Sequence, residues 1–135
     1  MATEAPSIVG ARAEFAVATG LIRAGYDVFA PVFNAHSRID LIAFRESAPI
    51  KVQVKTSRLA HGAVCFWTCS NTKHVRLDYR DDADAFGVYS PALGLVYLVP
   101  VRDVPLRQAT LRLEPAKNNQ KAKVRWAANY LIGPP

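Results

Sequence analysis

The sequence has little of what a secreted or membrane-embedded protein requires. Its two cysteines, Cys65 and Cys69, are too few for a disulfide scaffold and are typical of reduced cytoplasmic thiols. The longest apolar run, residues 92–101, is too short to cross a bilayer and contains Pro100. The first residues, MATEAPS, lack the basic start and the apolar stretch of a signal peptide. We therefore expect a cytoplasmic protein.

Charge is also sparse, and it is unevenly distributed. Of the 135 residues, 50% are hydrophobic and 21% are charged, which argues against disorder and fits a single domain spanning residues 1–135. The net charge is +6. Residues 51–80 hold six Lys/Arg and one acid, and residues 101–135 hold seven and two. Such stretches fit a face that binds phosphate backbones or an ordinary solvated surface, and charge alone leaves both open.

The apolar pattern near the N-terminus predicts a helix. Ser7 is placed to cap a helix from about Ile8 to Ala24, and Gly25 is placed to end it. Helical spacing predicts that its core face consists of Ala11, Phe15, Ala18 and Ile22.

Strands are predicted through the middle of the chain, followed by a second helix. The predicted strands are residues 26–33, 38–44, 50–56, 62–69, 85–89, 95–99 and 110–113. The last element is predicted as an amphipathic helix that Asn118 or Asn119 caps and Gly133 ends. Its apolar spacing is given by Val124, Ala127, Ala128 and Leu131. The order of helix, strands and helix predicts an α/β domain.

The predicted strand at residues 50–56 has one unusually polar face. Alternation places Lys51, Gln53 and Lys55 on one side, with Val52 and Val54 on the other. On this segment alone, a strand with one face in solvent explains the pattern well.

The preceding strand makes a functional explanation stronger. Asp40 stands between Ile39 and Leu41 in a strand, where an aspartate is rare and costly to bury unpaired. If Asp40 lies opposite Gln53 or Lys55 in an antiparallel hairpin, all three side chains share one face. A slip of one residue would separate them, so this arrangement is a real constraint on the hairpin.

A fourth polar residue, Glu14, borders the apolar side of the first helix. It could extend to water at the edge of the core, or it could lie beside Asp40. Two carboxylates, an amide oxygen and a lysine on one surface would form an oxygen-rich site for Mg²⁺. That set suits hydrolysis of a phosphodiester, because the metal polarises the phosphate and acidifies water, and the lysine offsets charge.

Three segments in this order resemble the PD-(D/E)XK nuclease superfamily: GARAEFAVATGLIRAGYDVFAPV, RIDLIAF and KVQVKTS. The likeness is greatest to the group I intron-associated homing endonucleases, which also have a Gln-x-Lys tripeptide. Two later segments, DAFGVYSPALGLVYLVPV and NNQKAKVRWAANYL, are similar to that group as well. The resemblance implies a restriction-endonuclease-like core, with the N-terminal helix on a mixed β-sheet and a C-terminal helix.

The resemblance also implies roles for individual residues. Glu14 corresponds to the helix acid, Asp40 to the metal-binding aspartate, and Gln53-Val54-Lys55 to the acid-x-Lys tripeptide. These residues would be catalytic, with Mg²⁺, or Mn²⁺ as a substitute, held by Asp40, Glu14, Gln53 and the Val54 carbonyl. The implied reaction is cleavage of duplex DNA to 5′-phosphate and 3′-hydroxyl ends. Cutting both strands needs two active sites, so we expect a homodimer or tetramer, joined through the apolar C-terminal half.

Two departures from the superfamily pattern leave alternatives open. Ile39 stands where a proline usually precedes the aspartate, and Gln53 removes one negative charge from the metal site. A nuclease of the Holliday junction resolvase kind has the same arrangement of acids and lysine. A catalytically inactive DNA-binding module would explain the missing carboxylate, and a structural partner protein would explain a merely polar strand.

Further basic and hydroxyl side chains are candidates for contacts with DNA. They are Arg38, Lys51, Thr56, Ser57, Arg58, Lys73, Lys121 and Lys123. A zinc site formed by His61, Cys65, Cys69 and His74 is less favoured, because their spacing matches no standard zinc pattern.

Overall fold

The computed structural model describes residues 3–34, 37–46, 48–72, 75–115, 118 and 123–135. One α-helix, α1 (Pro6–Arg23), is followed by eleven strands and two short 3-10 turns in this part of the chain. The strands are β1 (Asp27–Phe29), β2 (Leu41–Phe44), β3 (Ile50–Thr56), β4 (Arg58–Ala60), β5 (Ala63–Trp67), β6 (Cys69–Thr72), β7 (Val75–Asp78), β8 (Ala85–Ser90), β9 (Leu95–Pro100), β10 (Gln108–Arg112) and β11 (Leu131–Gly133). No helix in the described ranges has the length and apolar character to cross a membrane.

The main sheet has six strands in the order β1-β2-β3-β8-β9-β11. Strands β3 and β8 run parallel, and every other neighbouring pair is antiparallel, so the sheet is mixed. A three-stranded sheet, β10-β5-β4, and the two-stranded hairpin β6–β7 complete the strands. The predicted strand at residues 50–56 is confirmed with its bounds. The predicted strand at 26–33 is shortened to β1, since Pro31 cannot donate a ladder hydrogen bond.

The N-terminal helix is confirmed, but its cap differs from the prediction. It begins at Pro6, with Ala5 as N-cap and no side-chain cap, so Ser7 lies within the first turn. Proline fits a first helical turn because its missing N–H would have no partner there. Gly25 follows the helix with a φ of +95°, a conformation that glycine adopts without strain.

The face of α1 that packs on the sheet is not the predicted one. The buried residues of the helix are Ala13, Ala16, Val17, Gly20 and Leu21. By contrast Phe15 is 76% exposed and Ile22 is 58% exposed. Small residues face the sheet because the helix lies very close to it: a Cβ on Gly87 would lie 2.5 Å from Val17 Cγ1. Of the predicted face, Ala18 packs against the core cluster, whereas Phe15 and Ile22 face outward.

The second face of the main sheet is also covered. Phe86 and Val88 of β8 pack in one apolar cluster with Val64 and Phe66 of β5. Val52 and Val54 of β3 belong instead to the cluster that contains the buried face of α1. The centre of the sheet is therefore enclosed between the helix and the smaller sheet, as expected for alternating side chains.

The predicted C-terminal helix is wrong for the described residues 123–135. They form a 3-10 turn, Ala127–Tyr130, and then strand β11, which pairs with β9. The apolar spacing that suggests a helix is satisfied here by a different arrangement, since the free edge of β9 offers backbone hydrogen bonds. Asn118 lies in a turn, and Asn119 lies outside the described residues.

Candidate active site

The hairpin of β2 and β3 sets the geometry of the candidate site. Leu41 lies opposite Val52, and Ile42 lies opposite Lys51. The pairing of the two strands begins at Leu41, one residue after Asp40. The Asp40 N–H donates to the Val52 carbonyl at 2.9 Å, so the hairpin extends to this position. Asp40 therefore lies against β3 beside Val52, and its predicted pairing with Gln53 or Lys55 stays a prediction.

Asp40 lies just before β2 and is half-buried. Its Oδ2 accepts a hydrogen bond from the Val54 N–H at 2.8 Å. Burial raises the pKa of Asp40, while the bond from Val54 and the charge of Lys55 act in the opposite direction. The carboxyl group is thus held against the strand that carries the Gln-x-Lys tripeptide.

Glu14 approaches Asp40 from α1. Its side chain is exposed, but partial burial raises its pKa, and the negative charge of Asp40 raises that pKa further. Two neighbouring carboxyl groups are stabilised by a cation between them. This interaction supports the expectation that Glu14 lies near Asp40, and its role as a metal ligand stays a prediction.

Gln53 supplies an unusual acceptor. Among the side chains that the structure describes, its Oε1 is the buried polar atom with no hydrogen-bond partner. An acceptor buried in this way costs about 1–3 kcal/mol unless it is satisfied. The described ranges contain no group of three or more His, Cys, Asp or Glu arranged for a metal. A cation site here would therefore use the two carboxylates together with this amide oxygen.

Lys55 and Arg38 both contact the ring of Tyr79. Lys55 Nζ donates to the Tyr79 hydroxyl at 3.3 Å and lies 4.5 Å from the ring centroid. Arg38 Cζ lies 3.9 Å from the same centroid. The guanidinium also forms an ion pair with Asp82, so the predicted contact of Arg38 with DNA would compete with bonds inside the protein. Tyr79 was not predicted from the sequence, since no local pattern marks it.

The other predicted DNA contacts fall into three groups. Ser57 is buried, and its hydroxyl donates to the Tyr89 carbonyl at 3.0 Å, so it serves the fold. The half-buried or exposed candidates are Lys51, Thr56, Arg58 and Lys123. Lys73 and Lys121 lie outside the described residues.

The less favoured zinc hypothesis gains no support from the described cysteines. Cys65 is buried with its Sγ 3.9 Å from Thr110 Oγ1, and Cys69 Sγ contacts the Arg107 carbonyl oxygen at 3.7 Å. His74 lies outside the described residues.

A helix on a mixed sheet, with Glu14, Asp40 and a Gln-x-Lys strand at one end, defines a restriction-endonuclease-like nuclease fold. The chain belongs to the PD-(D/E)XK endonuclease family, whose model matches residues 6–132. Among solved structures it is similar to a bacterial homing endonuclease, I-Ssp6803I, with 22% sequence identity and a TM-score of 0.71. The match covers 95% of this chain and 89% of that one. No curated protein sequence matches the chain.

Proposed function

We propose that this protein is a metal-dependent DNA endonuclease that hydrolyses duplex DNA to 5′-phosphate and 3′-hydroxyl ends. The family supports endonuclease chemistry, and the fold shared with a homing endonuclease supports DNA as the substrate. The observation that carries the proposal is the buried Gln53 Oε1, which lacks a hydrogen-bond partner on the strand whose Val54 N–H donates to Asp40. A bound cation would satisfy this acceptor.

The donor set fits Mg²⁺, with Mn²⁺ as a substitute, because all of its atoms are hard oxygens. Asp40, Glu14, Gln53 Oε1 and the Val54 carbonyl would hold the ion. Bound there, it would polarise the scissile phosphate and lower the pKa of water. Gln53 gives the site one negative charge fewer than a carboxylate would, and Glu14 compensates because it lies near Asp40.

Lys55 would orient the attacking water and offset charge that develops on the phosphate. The charge of Lys55 acts to lower the pKa of Asp40, which supports a common site for the two side chains. A lysine is suited to this task because it is a compact point charge on a flexible stem. Lys51, Thr56, Arg58 and Lys123 would contact the DNA backbone, together with Lys73 and Lys121.

Cleavage of both strands requires two active sites, so we also propose a homodimer or tetramer. The outward stripe of α1 supports this, since Phe15 is 76% exposed and Ile22 is 58% exposed. Apolar side chains at helical spacing on an outer face are typical of a surface that a second chain covers. The C-terminal half also exposes large apolar side chains, Leu106, Trp126 and Leu131 among them, so α1 and that half are both candidates for the interface. A cytoplasmic location fits the two free cysteines.

The test is cleavage of supercoiled and branched DNA in Mg²⁺ by the wild type, Asp40→Asn and Lys55→Ala. Asp27→Asn is the matched control, because it makes the same change on β1, away from the site. We expect the wild type and the control to nick or linearise the duplex, EDTA to stop both, and each site variant to lose about 100-fold or more in rate.

The same experiment separates the alternatives. Preferential cleavage of branched DNA would indicate a junction resolvase instead of a duplex nuclease. An inert wild type with salt-sensitive DNA binding would indicate a binding module, and an inert wild type without DNA binding would indicate a structural protein. Equal cleavage by all four proteins would contradict the assigned site.

A further inference from the structure

Tyr79 is a buried tyrosine directly beside the candidate site. Only 4% of its surface is exposed, and it follows strand β7 at the base of the β6–β7 hairpin. Its ring packs edge-on against Phe86, with centroids 5.7 Å apart and an interplanar angle of 86°. Phe86 is fully buried and lies opposite Gln53 in the β3–β8 pairing. The ring is therefore part of the rigid core and not a mobile surface group.

Lys55 contacts both the hydroxyl group and the aromatic ring of Tyr79. The phenol oxygen accepts a hydrogen bond from Lys55 Nζ at 3.3 Å, and the ring centroid lies 4.5 Å from the same nitrogen. A lysine side chain has four rotatable bonds, so an unrestrained ammonium group would sample many positions. Two attractive contacts with a rigid ring reduce that freedom.

Arg38, which is not one of the proposed catalytic residues, packs against the ring of Tyr79. Its guanidinium stacks 3.9 Å from the Tyr79 centroid and donates to Ser70 Oγ and to the Leu77 carbonyl, at 3.3 Å and 3.0 Å. Its ion pair with Asp82 offsets the guanidinium charge. Arg38 can thus pack beside a ring that also contacts Lys55 without an uncompensated second cation close by.

We propose that Tyr79 is a positioning residue of the active site, which holds the Lys55 ammonium group in place through its hydroxyl and its ring. Arg38 and Asp82 act on Lys55 only through Tyr79, by keeping the ring at the base of the hairpin. The proposal rests on the proposed nuclease function, in which Lys55 serves the attacking water. The proposal assigns a role at the site to a residue other than the two carboxylates and the Gln-x-Lys tripeptide.

The experiment compares Tyr79→Phe and Tyr79→Leu with Tyr97→Phe. Tyr97 is a matched control because it is also buried, at 2% exposure, in the same apolar cluster. The measurements are the single-turnover cleavage rate at saturating DNA, the DNA dissociation constant, the melting temperature, and the NMR shifts of the Lys55 ε-methylene protons.

We expect Tyr79→Phe to lower the cleavage rate about three- to tenfold, the effect of one lost hydrogen bond of ordinary strength, with DNA affinity unchanged. Tyr79→Leu should lower the rate further, and Tyr97→Phe should leave it unchanged. Protons near an aromatic face are shifted upfield by the ring current. The Lys55 signals should therefore keep that shift in Tyr79→Phe and lose it in Tyr79→Leu.

Two results would overturn the proposal. One is a Tyr79→Phe variant that cleaves at the wild-type rate, or a Tyr97→Phe variant that loses as much. The other is wild-type Lys55 signals without a ring-current shift, which would mean that the contact does not form in solution. A wild type that cleaves no DNA while Lys55 keeps its shift would overturn the nuclease function and the catalytic role of the contact, but not the contact itself.

Discussion

Asp40 and Val54 are joined by a hydrogen bond of 2.8 Å from the Val54 N–H to Asp40 Oδ2. This bond connects the carboxylate at the start of β2 to the middle of the Gln-x-Lys tripeptide on β3. Because Val54 itself is buried against α1, the backbone at this point has little freedom to move. The relative position of the proposed metal ligands is thus set by main-chain geometry and by the core beneath it.

The unsatisfied oxygen of Gln53 leads to a prediction that separates function from stability. Gln53→Leu replaces the buried amide with an apolar group of similar size, so it should raise the stability of the metal-free protein by about 1–2 kcal/mol. It should also abolish cleavage, because the proposed metal ligand is lost. Thermal melting in EDTA and cleavage assays in Mg²⁺ measure the two effects.

Gln53→Glu provides the contrasting variant. A third carboxylate should lower the Mg²⁺ concentration needed for half-maximal cleavage, and it should destabilise the protein in EDTA because three carboxyl groups then repel one another. If Gln53→Leu destabilises the metal-free protein and cleaves normally, Gln53 is only a packing residue.

Asp40 and Glu14 predict how pH affects the metal-free protein. Burial raises the pKa of both groups above their ordinary values of 3.8 and 4.5. A raised carboxyl pKa means that the folded state binds protons more tightly than the unfolded state. The stability these groups contribute is therefore present below their ordinary pKa values and is lost as the pH rises through the raised ones.

Melting temperatures measured from pH 4 to pH 7 test this. Relative to the wild type, Asp40→Asn and Glu14→Gln should become more stable in EDTA as the pH rises, since neither amide ionises. At pH 7, saturating Mg²⁺ should stabilise the wild type by about 1–3 kcal/mol and the two variants less. A wild type whose melting temperature does not respond to Mg²⁺ would contradict the assigned ligands.

Gly87, which lies opposite Val54 in the β3–β8 pairing, predicts a large packing effect. A Cβ at this position would lie 2.5 Å from Val17 Cγ1 and 3.0 Å from Val52 Cγ1. Gly87→Ala should therefore destabilise the protein by about 1–3 kcal/mol, because α1 must move away from the sheet. Denaturant unfolding measures the change.

Gly10 is the matched control for this substitution. It lies within α1, and a Cβ there would meet nothing within 4 Å. Gly10→Ala should stabilise the protein by about 0.5–1 kcal/mol, since alanine favours a helix more than glycine does. Equal destabilisation by both substitutions would argue against close packing of α1 at Gly87.

The outward stripe of α1 predicts where copies of the chain meet. Phe15→Ser should shift a dimer or tetramer toward monomers, because it removes a large apolar side chain from the proposed interface. Light scattering after size-exclusion chromatography measures the mass. Leu106→Ser is the control, since Leu106 is 48% exposed elsewhere in the chain. Loss of assembly in the control but not in Phe15→Ser would place the interface away from α1.

The hairpin that carries the site could be predicted because its pattern is local. Alternation of polar and apolar residues over 50–56 defines the two faces of β3, and a short turn restricts which residues of β2 can lie opposite. The polar set of Asp40, Gln53 and Lys55 follows from these two facts. The start of this strand was less predictable: the sequence places it at residue 38, whereas β2 begins at Leu41.

Features that depend on distant parts of the chain were predicted poorly. The spacing of Phe15 and Ile22 suits a core face as well as an outward one, and only the close approach of Gly87 to Val17 selects between them. The spacing of Leu131 likewise suits a helix, but in the structure its backbone pairs with the edge of β9 instead. Arg38 and Tyr79 lie 41 residues apart, and nothing in the intervening sequence indicates that they stack.

The α1 helix, the β2–β3 hairpin and the residue types of the candidate site follow from local sequence, because backbone periodicity and residue chemistry are properties of short segments. Which side of α1 is buried, the pairing of the C-terminal segment with β9 and the contact of Lys55 with Tyr79 depend on long-range packing. These outcomes depend on which surfaces compete for the same apolar face or sheet edge. That competition is settled only when distant segments pack together.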